Sequence, residues 1–276
     1  MCFSRHTAQT ARASGRPRVA HGLKVLSAPL SPVIALGELL IPAIATVGDC
    51  PMAELKSFPF HGVLSTTMIS QLFEVQIKEG QINRYLDLAA SLKPSLEAMG
   101  GCLFLDRFKS LTRENLLLSY QMWRDEGSMI AWRVDAKHHR VQETGREQVF
   151  ADYRIRIAQV LHEERSDKSA WRPERLSPYN DPERRPPTFV VASESRNREL
   201  SVETSWERDV FESVYRPGVF AHLVDVPSPD AGVGLGRLLL ADATTEYFRL
   251  LEVMRDYGMF NRAEAPQYYP SAQRCA

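Results

Sequence analysis

The sequence predicts an α+β fold built from two successive units ordered strand, helix, strand, strand, helix, strand, and three observations carry that prediction. Leu72–Lys78 and Tyr153–Val160 alternate apolar with polar residues, as half-buried strands do. Between them Ile82, Tyr85, Leu86, Ala89, Leu92 and Leu96 recur at helical spacing. Residues 164–187 (ERSDKSAWRPERLSPYNDPERRPP) are dense in proline and charge, and a looser succession of elements follows them.

Taken in order, residues 1–67 stand apart as an N-terminal extension with little fixed structure. No acidic residue precedes Glu38, while Arg5, Arg12, Arg16, Arg18 and Lys24 collect among Ala, Ser and Thr. An acid-poor, Arg- and Ser-rich start reads as an organellar targeting segment over 1–45. An alternative reading makes it an upstream extension of the gene, with translation starting at Met68 rather than Met1. The apolar run 25–48 is broken by Pro29, Pro32, Glu38 and Pro42. A membrane span needs about 20 largely uncharged apolar residues, so no span is expected there.

The first unit spans 68–163. In Leu72–Lys78, Phe73, Val75 and Ile77 share one face. Pro94 should end or kink the helix that follows, because an interior proline costs about 3 kcal/mol, and Gly100-Gly101 stops it. Cys102–Phe108 and Leu116–Trp123 read as a hairpin. Asp125 can cap a helix running through Ala136 and burying Met129 and Trp132. Tyr153–Val160 closes the unit. This order is the ferredoxin-like arrangement. A degenerate second unit is expected over 188–276, after the linker at 164–187. Its elements read as a strand at 188–195, a helix at 205–216, strands at 219–226 and 234–243, a helix at 244–260 and a closing strand at 267–269. The glycines of GVGLG (232–236) read as a hairpin turn, not a dinucleotide fingerprint. A lone four-stranded sheet with helices on one side leaves its other face bare. Two tandem units therefore cover each other as an intramolecular pseudo-dimer.

Composition narrows the function classes. Formal net charge is zero, so no global pull toward nucleic acid or an anionic membrane is expected. Cys2, Cys50, Cys102 and Cys275 show no paired spacing, which argues against a disulfide framework or a zinc site and favours the cytoplasm. The informative stretch is Met122–Arg146. Trp123 and Trp132 bracket a helix start there, and His138, His139 and Gln142 follow closely. An aromatic wall beside titratable groups is how a small apolar pocket with a few polar handles looks in sequence. A tryptophan on the inner face of an amphipathic helix equally supplies core.

The segment WRDE-x-x-x-x-AW (Trp123–Trp132), the His and Gln after it, and the strand DYRIRIA resemble the antibiotic biosynthesis monooxygenase family. The resemblance covers Ile69–Glu163, about a third of the chain; the C-terminal half shares only the layout. It implies ferredoxin-like units paired sheet to sheet into a dimeric α/β barrel, each with a pocket between sheet and helices. It also implies oxidation of a small aromatic or quinol-like substrate by O2 with neither metal nor flavin, or, in related members, haem binding and opening. Among the haem-opening members an Asn on the first strand, a helical Trp and a downstream His act together. Here Trp132 matches, Glu74 stands on the first strand, and Gln142 occupies the His position, so haem chemistry would fall to His138 or His139. For cofactor-independent oxygenation the candidate catalytic residues are Trp132 as wall, His138 as base and Glu74 as proton acceptor. Phe73, Tyr120, Trp123, Arg133 and Gln142 are the candidate substrate contacts. A non-catalytic binding or structural module is the competing class, and a homo-oligomer stays open.

Overall fold

A computed structural model describes residues 67–177, 186–266 and 269–272. The targeting and start-site readings of residues 1–66 lie outside the described residues. In order, the elements are β1 (Ile69–Ile77), α1 (Ile82–Ser91), α2 (Lys93–Met99), β2 (Cys102–Ser110), β3 (Leu116–Trp123), α3 (Glu126–Val134), α4 (Ala136–Thr144), β4 (Phe150–Arg165), β5 (Ala170–Trp171), β6 (Phe189–Ser195), β7 (Arg208–Ser213), β8 (Phe220–Val226), α5 (Pro229–Leu240) and β9 (Thr245–Gly258). The strands join in the order β1-β3-β2-β7-β8-β6-β9-β4, and β4 pairs back onto β1. Among the described residues every pairing is antiparallel, eight strands close into a barrel, and only the short β5 sits outside the ring. Closure removes the exposed edges that an open sheet would present.

Alternation along each strand divides side chains between the barrel interior and the outer, helix-covered face. Leu72, Leu118, Tyr120, Val160, Val190, Phe211, Leu223 and Leu251 form one interior cluster drawn from both halves of the chain. On the outer face Trp123, Trp132, Leu92 and Leu96 pack together above β1–β4. Val191, Val224, Leu235, Leu239 and Phe248 pack above β6–β9. β1 is therefore buried on both faces, not half-buried.

Local signals explain the helices. The helical run from Ile82 breaks at Leu92, and Pro94 falls in the first turn of α2, where a missing N–H is harmless. Asp125 caps α3, its Oδ1 accepting from the Ser128 N–H at 2.7 Å. Asp135 ends that helix and caps α4 in turn, accepting from the His138 N–H at 2.8 Å. One π-helical turn over Gly145–Val149 leads into β4, and a Cβ at Gly145 would lie 2.4 Å from the Phe150 ring.

The second half departs from expectation in three elements. Residues 205–216 hold no helix: β7 pairs with β2 and β8. The run expected as a strand at 234–243 falls, as far as Leu240, in α5, where Ser228 caps and Pro229 opens the helix. The run expected as a helix at 244–260 is β9, paired along its length with β4 and β6. The expected linker is also partly structured, since β5 pairs with β4 and Trp171 packs against the interior cluster. Among the described residues no helix is long and apolar enough to cross a membrane.

Candidate functional site

A cavity of about 150 Å³ opens between the outer face of β1–β4 and the helices above it. Its floor is Gln71 and Phe73 of β1, Leu105 and Arg107 of β2, Ser119 and Gln121 of β3, and Tyr153 and Ile155 of β4. Alternation explains this set, because Phe73 and Arg107 both stand opposite Ser119 in the sheet register. Tyr85 and Leu88 of α1, Leu92 at the junction and Leu96 of α2 form one wall, and Trp132, His138, Val141 and Gln142 of α3 and α4 form the other. The chain beyond β9 returns across the mouth with Arg262, Pro266 and Tyr269.

His138 stacks on Trp132 with ring centroids 4.2 Å apart and planes inclined by 16°. Its Nδ1 lies 2.9 Å from the Trp132 carbonyl oxygen, which can only accept, so Nδ1 carries the proton and Nε2 keeps the lone pair. Burial pushes the His138 pKa down to about 4, against the pull of that carbonyl and of Asp135. The ring is thus neutral at pH 7, with one acceptor nitrogen on a side chain that lines the cavity.

Tyr153 gathers cations. Its hydroxyl accepts from Arg262 Nη1 at 2.8 Å and also from Arg146. Phe73 meets the Tyr153 and Phe150 rings edge-on, each at 5.8 Å. Tyr269 stacks on His139, and burial pushes its phenol up to about 12.

Of the residues singled out from sequence, Trp132, His138, Phe73, Arg133 and Gln142 line the cavity. Glu74 does not. It points into the barrel, where it accepts from Arg113 at 2.8 Å and Arg156 at 2.9 Å. Tyr120 also faces the interior, its hydroxyl accepting from Arg249 at 2.9 Å. One residue separates each from a cavity-facing neighbour, Phe73 and Gln121, and that single step reverses the face. Trp123 is on the correct face but fully buried behind the floor, donating from Nε1 to Gln121 Oε1 at 3.2 Å. Arg107, Tyr153, Arg146, Arg262 and Tyr269 line the cavity without having been singled out from sequence. Among the described residues no group of three or more His, Cys, Asp or Glu could hold a metal ion.

The profile of the family described as antibiotic biosynthesis monooxygenase matches residues 68–144. A curated protein of Pyricularia oryzae named jasmonate monooxygenase is 30% identical over 226 residues, which is 74% of this chain and 100% of that protein. Among solved structures, a conserved protein from Methanosarcina mazei is 20% identical, covering 34% of this chain and 93% of its own with a TM-score of 0.32. A Lactobacillus acidophilus protein provisionally assigned as a monooxygenase is 9% identical, covering 68% of this chain and 93% of its own with a TM-score of 0.34.

Proposed function

Because this chain belongs to the antibiotic biosynthesis monooxygenase family, we propose that it oxidises a small aromatic or quinol-like substrate with O2 in the cavity beside Trp132, using neither metal nor organic cofactor. The observation that carries this reading is His138, a neutral imidazole stacked on an indole wall, with its acceptor nitrogen unclaimed by the Trp132 carbonyl. Nε2 takes the substrate's acidic proton, and the apolar walls keep the resulting anion from water. That anion then reduces O2. For a ring-flanked CH2, one oxygen atom becomes the carbonyl oxygen and the other leaves as water with the two hydrogens. A base of such low pKa draws a proton best from a donor that is itself acidic, such as a vinylogous acid.

We read the barrel as two tandem ferredoxin-like units, 68–163 and 188–276, forming a pseudo-dimer inside one chain. The lateral orders β4-β1-β3-β2 and β9-β6-β8-β7 support this, since each places the half's strands in the same sequence. A cytoplasmic enzyme whose partner is its small-molecule substrate is the accompanying reading. Haem is left out of this reading because Gln142, which stands at the His position of the haem-opening members, is a poor axial ligand for iron.

The test follows O2 consumption with a panel of hydroquinones and anthrones, with jasmonate added on the strength of the Pyricularia relative's name. Uptake well above the spontaneous rate is expected for at least one compound, falling on the order of a hundredfold in His138→Gln. Uptake equal to the spontaneous rate across the panel, and unchanged in Trp132→Ala, would leave a binding module instead.

A further inference from the structure

We propose that the ligand of this cavity carries a carboxylate and that Arg107 is its anchor; this rests on the cavity being the substrate site and deepens that reading. The cavity lining includes Lys93, Arg107, Arg133, Arg146 and Arg262 and contains neither Asp nor Glu. Such a lining, walled by leucine and aromatic side chains, is net positive in a medium where charges are poorly screened.

Arg107 separates itself from the other cations. Arg146 and Arg262 are engaged with the Tyr153 hydroxyl and with backbone carbonyls of the C-terminal segment. Lys93 has Glu97 one turn away on α2. Arg107 is 7% exposed, rises from the floor of the cavity, and has the Tyr85 and Tyr215 phenols as polar neighbours. Among the described residues no carboxylate pairs with it, and its Nε and Nη1 have no hydrogen-bond partner. Neutral phenols do not balance a guanidinium. A buried charge left without a counter-ion is strongly unfavourable, and nearly all buried N–H groups in folded proteins are paired.

The barrel interior shows what this chain does with its other buried guanidiniums. Arg156 is paired to Glu74 and Asp225, and Arg249 to Glu163. Among the described residues, Arg107 on the cavity floor is the buried guanidinium from which the carboxylate is withheld. A planar guanidinium with unused N–H groups matches a carboxylate in two-pronged geometry. The Ser119 hydroxyl, directly across the strand pair, adds a second polar group at the same end. The remaining walls accept an apolar skeleton, with Trp132 and His138 available to its far part.

Cinnamate and its methyl ester serve as the probe pair, with binding to the full chain followed by calorimetry and no turnover required. The acid should bind at least tenfold more tightly than the ester in the unaltered protein. In Arg107→Gln that preference should fall to near unity with ester affinity unchanged, while Arg107→Lys should retain part of it. Arg107→Met, which removes the uncompensated charge, should melt at the same temperature as the parent or higher. Equal binding of acid and ester, a preference that survives in Arg107→Gln, failure of the acid to bind at millimolar concentration, or a sharply lowered Tm in Arg107→Met would each overturn the assignment. Since binding is read without O2, a protein that selects the acid yet consumes no O2 would retain the anchor and lose only the oxygenase reading.

Discussion

Above β1–β4 the helices stand away from the sheet and leave a cavity, whereas above β6–β9 a single helix lies flush. Side-chain size at the contact makes the difference. A Cβ at Gly236 of α5 would lie 2.2 Å from the Phe248 ring, and one at Gly232 would lie 2.5 Å from Leu250 Cδ1. Those two glycines let α5 settle onto β9. In the first half the corresponding space is propped open by Tyr85, Leu92, Leu96 and Trp132, and the floor beneath them carries Gln71, Arg107, Ser119 and Gln121. The same lateral strand order thus supports a site in one half and solid packing in the other.

The most direct way to break this comparison is to ask whether the halves can be treated separately at all. Arg216 ties them together, meeting Asp106 of β2 and Glu194 of β6, each at 2.6 Å. Arg216→Met should lower stability by about 3 kcal/mol, because two mostly buried carboxylates lose their partner. Urea denaturation followed by fluorescence measures it, and a loss below the noise would mean that the strand pairings alone hold the halves together. Next in size, Gly236→Val should cost about 2 kcal/mol by forcing α5 off Phe248. Ligand binding in the first half should be unchanged in that variant.

A pH series sharpens the contrast from the cavity side. His138 has a folded pKa of about 4 against an ordinary 6.5, so between those values the unfolded chain holds the extra proton. Stability from this group is complete above pH 6.5 and drains away as pH falls toward 4, at no more than about 1.4 kcal/mol per pH unit. His138→Gln should flatten that part of the profile; an unchanged slope would show that the ring titrates normally. The smallest effect is also the cleanest control. Gly234 lies on the same helix as Gly236 with nothing within 4 Å of a Cβ, so Gly234→Ala should stabilise by about 0.5 kcal/mol.

Legibility followed the same divide. In the first half each strand and helix carried a local signal: alternation, a proline, or the Asp125 cap. Helix α4 carries the same signal, since Asp135 marks its start by the same chemistry. In the second half β9 is buried on both faces, which erases alternation and lets Phe248, Leu251 and Met254 mimic a helical stripe. β7 is short and held by its neighbours, and its apolar spacing alone fits a helix. For α5 the glycines suggested a turn, while the stronger evidence, Ser228 followed by Pro229, marked a helix start. Within the site, Trp132 and His138 stood out because they cluster in sequence. Arg107, Ser119 and Gln121 are spread over two strands, and only their register shows polar groups collecting on a face that helices cover. Glu74 and Tyr120 lay one residue out of phase with the cavity, a distinction that composition cannot make.

The return of Arg262, Pro266 and Tyr269 across the cavity mouth has a temporal side. The floor strands are complete once Arg165 has been translated, but the segment that closes over them is made about a hundred residues later. A nascent chain paused between those points would display the apolar walls and the unpaired guanidinium without a cover. Chaperone capture and vulnerability during synthesis should therefore concentrate in that interval, and release should coincide with arrival of the closing segment.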